Sequence, residues 1–151
     1  MSMSSDEPFH ILMADDDTDD RQFFSEAISE LKMNNKLSLF NDGTELMDYL
    51  ENPETEVPQI LFLDLNMPGK NGLDCLAEIR ANPKYNDLSI AIYSTSSSEK
   101  DIEASFIGGA NVYIKKPNDF LKLKKAIKDV ISINWQYHTS GLNLQTFLFS
   151  I

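Results

Sequence analysis

The chain has 151 residues and one cysteine, Cys75, so it is long enough to bury a core without disulfides and offers no cysteine cluster for zinc. Its formal net charge of −11 argues against general nucleic-acid binding, which depends on Lys and Arg against phosphates. The N-terminus is short and polar and no apolar run reaches about 18 residues, so we expect a cytoplasmic protein without signal peptide or membrane span.

Apolar runs of strand length alternate with amphipathic stretches along the first half of the chain. In order, the predicted elements are a strand at 9–14, a helix at 18–34, a strand at 37–40, a helix at 45–51 and a strand at 59–64. Phe24, Ala27 and Ile28 recur at helical spacing in the first helix. The NDGT run at 41–44 supplies turn and capping residues for the second helix.

The second half continues the same alternation. Its predicted elements are a helix at 72–81, a strand at 88–94, a helix at 98–107, a strand at 110–114 and a helix at 118–133. Strands and helices in strict alternation predict an α/β fold, with a parallel sheet covered by helices on both faces. Ligands of such sheets bind beyond the carboxyl ends of the strands.

Polar residues stand at those strand ends. They are Asp15, Asp16 and Asp17 after the first strand, Asp64 on the third, Ser94 on the fourth, and Lys115, Lys116 and Pro117 after the fifth. Clustered carboxylates repel one another unless a cation lies among them, and oxygen ligands suit Mg²⁺. A lysine nearby can pair with a phosphate. Asp64 stands alone on its strand end and is the candidate nucleophile toward a phosphoryl group.

Four segments in order resemble the CheY-like receiver domains of two-component response regulators, namely ILMADDD, FLDLNMPGKNG, IYSTS and GGANVYIKKP. The resemblance covers about residues 8–133 and implies a doubly wound, flavodoxin-like sheet of five strands in the order 2-1-3-4-5. It implies a signalling phosphoprotein and not an enzyme. Such a switch accepts a phosphoryl group from a sensor histidine kinase and signals to an unknown downstream target or phosphotransfer protein of a phosphorelay.

The resemblance assigns a role to each strand-end residue. Asp64 is the implied phosphoacceptor, with Lys116 and Ser94 as its catalytic partners. The implied Mg²⁺ ligands are Asp15, Asp16, Asp64 and the backbone carbonyl of Asn66, with Asp16 the more direct of the acidic pair.

Further implied roles concern switching and phosphate lifetime. Ser94 and Tyr113 are the implied switch residues, with Tyr113 swinging inward as Ser94 moves toward the phosphate. A half-buried sheet aromatic without a switching role is the alternative for Tyr113. Asn66 and Ser96 flank the expected direction of water attack and should tune phosphate lifetime. Pro117 has a structural role, because the lysine–proline peptide of this family is usually cis.

The acidic run DDDTDD at 15–20 has other interpretations. It is also typical of a solvated, acid-rich helix start. A calcium loop is disfavoured because Asp20 stands where such a loop needs glycine. The main alternative is a haloacid-dehalogenase-like, Mg²⁺-dependent phosphatase with an aspartyl-phosphate intermediate. Asp15 and Asp17 fit its Asp-x-Asp-x-Thr pattern, but Asp19 replaces the threonine.

The predicted domain boundaries leave a segment at each end. Residues 1–7 are a predicted disordered N-terminus, 8–133 a stand-alone receiver domain, and 134–151 an uncharged C-terminal extension for packing or dimerisation. Six lysines between Lys115 and Lys128 predict a docking face for an acidic partner. A homodimer through the last helix or the tail is a further possibility, whereas direct contact with nucleic acid or membrane is not expected.

Overall fold

The structure, a computed structural model, describes residues 7–137 and 148–149. Its centre is a parallel sheet with the strand order β2-β1-β3-β4-β5-β6. In chain order the strands are β1 (Phe9–Ala14), β2 (Asn35–Phe40), β3 (Ile60–Leu63), β4 (Ser89–Ser94), β5 (Val112–Lys115) and β6 (Leu148–Phe149). The predicted order 2-1-3-4-5 is confirmed, and the short β6, which pairs in parallel with β5, lies outside the predicted elements.

Five α-helices connect the strands, as the sequence predicted. They are α1 (Thr18–Ser29), α2 (Gly43–Glu51), α3 (Gly72–Ala81), α4 (Glu99–Ile107) and α5 (Phe120–Tyr137), with a short 3-10 helix at Pro83–Tyr85 before β4. Helix α1 ends before the predicted residue 34, because residues 30–34 turn the chain into β2. There the Phe9 amide donates to the carbonyl of Asn34 (2.9 Å) and fixes the entry to the sheet.

Two hydrophobic clusters lie on opposite faces of the sheet. Phe62 of β3 packs with Phe24 of α1 and Tyr93 of β4 on the face that α1 and α5 cover. Leu61, the residue before Phe62, belongs to the other cluster, which α2, α3 and α4 cover. Successive strand residues point to opposite faces, so a strand buried on both sides reads as a continuous apolar run. This double burial leaves the strand ends as the places for polar groups.

The two terminal segments of the predicted domain division lie mostly outside the described residues. Residues 1–6 belong to the predicted disordered N-terminus and are not described. Helix α5 continues past the predicted boundary at 133 to Tyr137. The described part of the tail is β6, whose Leu148 is in register with Tyr113. The role of 134–151 in packing or dimerisation stays a prediction.

None of the helices within the described residues combines the length and the hydropathy that a bilayer-spanning helix needs.

Candidate functional site

The carboxyl ends of β1 and β3 bring three acids together. Ala14 and Leu63 are in register on these neighbouring strands, and the Asp64 amide donates to the carbonyl of Ala14 (3.0 Å). Carboxylate oxygens of Asp15, Asp16 and Asp64 all lie within 4.8 Å of one another. Asp15 is fully buried and Asp64 is 5% exposed, whereas Asp16 is exposed. The acids named from the sequence therefore form one cluster at this edge.

Lys116 reaches the acids from the end of β5, two strands away from β3 in the sheet. It follows β5, and its amide donates to the carbonyl of Ser94 at the end of β4 (2.8 Å). Its Nζ lies 2.7 Å from Asp15 Oδ2 and 3.7 Å from Asp64 Oδ2. The same Nζ donates to Asp20 Oδ2 (2.8 Å), which makes Asp20 a third acidic partner. The Lys116 side chain is 9% exposed, so these ion pairs are largely shielded from water.

Burial and charge set the protonation of this cluster. Burial raises the pKa of Asp64 to about 6, and the nearby Lys116 ammonium offsets part of that effect. Burial likewise raises the pKa of Asp15. For Lys116, burial lowers the pKa, but the close contacts of its ammonium with the Asp15 and Asp20 carboxylates outweigh burial and raise the pKa overall. At pH 7, Asp64 is therefore mostly ionised and Lys116 is protonated.

The acidic cluster fits a divalent cation. Asp15 Oδ2 is a buried oxygen that, among the described side chains, makes no hydrogen bond of good geometry, although it lies in ion-pair contact with Lys116. Two or three carboxylates close together favour a small, hard cation with oxygen ligands. An open groove of about 370 Å³ lies beside the cluster, and Asp16, Asn66 and Asp101 are among its lining residues. The residue types and their spacing are thus consistent with a site for a divalent cation.

A chain of hydrogen bonds ties Ser94 to α4 and β5. Ser94 is fully buried, and its Oγ accepts from the amide of Ser96 (3.1 Å). Ser96 Oγ donates to Asp101 Oδ2 in α4 (2.6 Å). The Tyr113 hydroxyl donates to the carbonyl of Ser96 (2.8 Å). Ser94, Ser96 and Tyr113, the residues predicted for switching or phosphate lifetime, are therefore linked by hydrogen bonds through Ser96.

The structure bears on two expectations about residues near the site. Tyr113 is fully buried, so its ring lies inside the protein in this structure, and its role as a switch residue stays a prediction. The expected cis peptide between Lys116 and Pro117 is wrong for this structure, because the described residues contain no cis peptide. The trans form is the lower-energy isomer even before proline, by about 0.5–1 kcal/mol, unless surrounding contacts select cis.

Three residues near the site were not assigned roles from the sequence. Asp20 lies in the first turn of α1, which begins directly after the acidic strand end, and this closeness in sequence was the available signal that it faces the same end. Tyr93 precedes Ser94, and its buried ring lies 5.4 Å from Lys116 Nζ. Asp101 gave no sequence signal beyond its place in the first turn of α4.

Of the alternatives for the acidic run, the acid-rich helix start agrees with the local geometry, whereas the calcium loop does not. Asp17 is the N-cap of α1, and its carboxylate accepts from the amides of Asp19 (2.8 Å) and Asp20 (3.1 Å). The phosphatase pattern requires a threonine where Asp19 stands. A calcium loop requires a preceding helix, whereas this segment follows β1.

Comparison with known proteins identifies the family. The sequence model described as "Response regulator receiver domain" matches residues 11–128. The chain therefore belongs to the receiver domains of two-component response regulators. Receiver domains of this kind are signalling proteins that interact with histidine kinases and downstream targets, and they are not dedicated enzymes.

Curated relatives cover most of the chain. The response regulator Rcp1 of Synechocystis sp. is 30% identical over 136 residues, which span 87% of this chain and 92% of that protein. A chemotaxis protein CheY homologue of Campylobacter jejuni is 30% identical over 121 residues, 80% of this chain and 91% of that protein.

Solved structures agree with the fold over similar lengths. The phosphorylated cyanobacterial phytochrome response regulator RcpA is 29% identical with a TM-score of 0.77, covering 89% of this chain and 98% of that one. The Mn²⁺-bound form of Rcp1 is 28% identical with a TM-score of 0.74, covering 90% and 99%.

Proposed function

We propose that Asp64 accepts a phosphoryl group from a histidine kinase, with Mg²⁺ held by Asp15, Asp16, Asp64 and the backbone carbonyl of Asn66. The observation that carries this proposal is the meeting of three separate strand ends. Lys116, Asp15 and Asp64 are far apart in the chain, yet Lys116 Nζ lies within ion-pair distance of both carboxylates. A phosphorylated form of RcpA and a Mn²⁺-bound form of Rcp1 support the same chemistry in similar proteins.

The chemistry follows from positioning and charge. A carboxylate oxygen of Asp64 attacks phosphorus in line, the P–N bond of phosphohistidine breaks, and its electron pair stays on the imidazole nitrogen. Asp64 needs no base, because a pKa of about 6 leaves it mostly ionised at pH 7. Lys116 pairs with the transferred oxygens, and Ser94 Oγ donates to one of them once it turns away from Ser96. When bound, Mg²⁺ neutralises charge that would otherwise repel the incoming group.

The signal then passes through the loop after β4. Ser94, Ser96 and Tyr113 already share hydrogen bonds, so a turn of Ser94 toward the phosphoryl group changes the contacts of the other two. Two arrangements of such a linked set are what a phosphorylation switch requires. Asn66 and Ser96 remain the proposed determinants of phosphate lifetime, and the lysine-rich segment 115–128 the proposed docking face. A homodimer through the last helix or tail and a cytoplasmic location are likewise part of the proposal.

Intact-mass measurement after incubation with acetyl phosphate and Mg²⁺ tests the role of Asp64. We expect the wild-type protein to gain the mass of one phosphoryl group, and the gain to disappear after hydroxylamine, which cleaves acyl phosphates. Asp64→Asn should show no gain. Asp74→Asn, which changes an exposed acid in the first turn of α3, is the matched control and should behave as wild type.

Two outcomes would contradict the proposal. The first is no mass gain in the wild type, and the second is an undiminished gain in Asp64→Asn. The phosphatase alternative predicts continuing release of phosphate from an external ester over many turnovers, which a phosphate-release assay measures directly.

A further inference from the structure

Lys116 has more acidic partners than a phosphoryl-binding lysine needs. Its Nζ contacts Asp20 Oδ2 at 2.8 Å and Asp15 Oδ2 at 2.7 Å, whereas Asp64 Oδ2 is 3.7 Å away. The acceptor carboxylate is therefore the most distant of the three. Because Coulomb attraction weakens with distance, the Lys116 ammonium is held more strongly by Asp15 and Asp20 than by Asp64.

Asp20 is held firmly where it makes this contact. It lies in the first turn of α1, directly after the capping contacts of Asp17, whose carboxylate accepts from the Asp20 amide (3.1 Å). The same helix is fixed to the sheet by the buried residues Phe24, Ala27 and Ile28. The Asp20 side chain is 34% exposed, so it stands at the entrance and not in the interior. A rigid helix end thus presents a carboxylate to Lys116 from the solvent side.

We propose that Asp20 is a positioning residue that holds the Lys116 ammonium on the α1 side of the site, in competition with the phosphoryl group. This inference rests on the proposed function, since it concerns the same lysine. A phosphoryl donor that approaches Asp64 must draw Lys116 away from Asp20, and it meets the negative charge of Asp20 at the entrance. Both effects weaken the binding of an anionic donor, so Asp20 restrains phosphorylation.

Substitution of Asp20 by Asn tests the competition. The change keeps the size of the side chain, removes its charge and leaves Lys116 with Asp15 and Asp64. We expect the acetyl phosphate concentration for half-maximal phosphorylation to fall ~5-fold, the effect of one unit charge about 4 Å away in a water-like dielectric, as suits the partly exposed Asp20. The limiting rate should change less than about twofold, because Asp64 and Lys116, which make the transition-state contacts, remain.

Two matched variants separate positioning from bulk charge. Asp19→Asn removes the same charge one residue away, at an exposed position that is absent from the described contacts of Lys116. Asp19→Asn should lower the half-maximal acetyl phosphate concentration by less than half as much as Asp20→Asn does. Asp20→Glu keeps the carboxylate and should return the half-maximal concentration toward that of the wild type. Equal effects of Asp20→Asn and Asp19→Asn, or slower phosphorylation in Asp20→Asn, would overturn the inference.

A second measurement needs no phosphorylation. The ammonium signal of Lys116 in ¹⁵N-lysine NMR, assigned by its loss in Lys116→Arg, should shift in Asp20→Asn and stay in place in Asp19→Asn. An unchanged signal in Asp20→Asn would overturn the positioning role. If the wild type takes no phosphoryl group while the signal shifts as expected, the proposed function fails, and the competition with a phosphoryl group fails with it. If the wild type is phosphorylated but the variants do not differ, only this inference fails.

Discussion

Asp64 carries a charge that its surroundings disfavour. The side chain is 5% exposed, and burial raises its pKa to about 6, although Lys116 lies 3.7 Å away. An ordinary aspartate in an unfolded chain titrates near 3.9. The folded protein therefore binds a proton at Asp64 more tightly than the unfolded chain does. The proposed role of Asp64 as a phosphoryl acceptor accounts for this cost, because such an acceptor must be a carboxylate.

This raised pKa predicts how Asp64→Asn changes stability with pH in Mg²⁺-free buffer. The contribution of Asp64 is fully present below about pH 4 and is lost as pH rises through about 6. We expect the free energy of unfolding of Asp64→Asn to exceed that of the wild type by ~2 kcal/mol at pH 7.5, with the excess vanishing near pH 4. Urea denaturation across this pH range measures the difference.

Asp48→Asn is the control for that experiment, because Asp48 is exposed on α2. Its difference from the wild type should stay nearly constant between pH 4 and 7.5. A constant difference for Asp64→Asn as well would show that burial does not raise the pKa of Asp64.

The start of α3 determines the shape of the loop that follows Asp64. Gly72 is the first residue of this helix, and its amide donates to the carbonyl of Leu65 (3.0 Å). A Cβ at Gly72 would lie 2.2 Å from the carbonyl oxygen of Asp64 and 2.7 Å from Leu65 Cα. Both are backbone atoms, which cannot move aside as a side-chain end can. The helix therefore packs directly against Asp64, and glycine permits that approach.

Gly72→Ala should lower the free energy of unfolding by ~1–3 kcal/mol, the usual cost of forcing atoms into a packed site. Helix propensity alone predicts the opposite sign, since alanine is favoured over glycine by about 1 kcal/mol inside a helix. Chemical denaturation of Gly72→Ala distinguishes these two opposite signs. Ala77→Ser, on the exposed side of α3, should stay within about 0.5 kcal/mol of the wild type. A neutral or stabilising Gly72→Ala would mean that α3 does not constrain Asp64.

The whole molecule carries an uneven charge that bears on cation binding. Of its 24 acids, 16 lie at or before Asp64, and the net charge is −11. Monovalent salt screens such repulsion in general, whereas a bound divalent ion stabilises the folded state specifically, in proportion to the logarithm of its concentration above the dissociation constant. The two effects can be separated at matched ionic strength.

Millimolar MgCl₂ should raise the midpoint of thermal unfolding more than NaCl of the same ionic strength. The gain in stability reaches about 2.7 kcal/mol when Mg²⁺ is at 100 times its dissociation constant. Asp16→Asn, which removes an exposed proposed ligand, should lose most of the Mg²⁺-specific part, whereas Asp19→Asn should keep most of it. Equal responses of the wild type to the two salts would contradict a divalent-cation site.

The sequence was sufficient for the architecture and for most of the site. Strand ends can be predicted because an apolar run gives way there to a polar residue such as Asp64 or Ser94, and parallel strands share one carboxyl edge. The ends of helices could not be predicted as closely from the sequence as the ends of strands. Helix α1 ends at Ser29 because the start of β2 pairs with β1, a contact between segments that no local pattern contains.

The amino-acid sequence by itself determined the alternation of strands and helices, the parallel sheet and the gathering of acids, hydroxyl and lysine at one edge, because burial and periodicity are local properties of the chain. Only the tertiary structure decided that Lys116 pairs more closely with Asp20 than with Asp64, that Tyr113 points inward and that Leu148 and Phe149 extend the sheet. These features depend on contacts between segments that are remote in sequence. They depend on how helices pack against the sheet to within an ångström, which residue patterns do not specify.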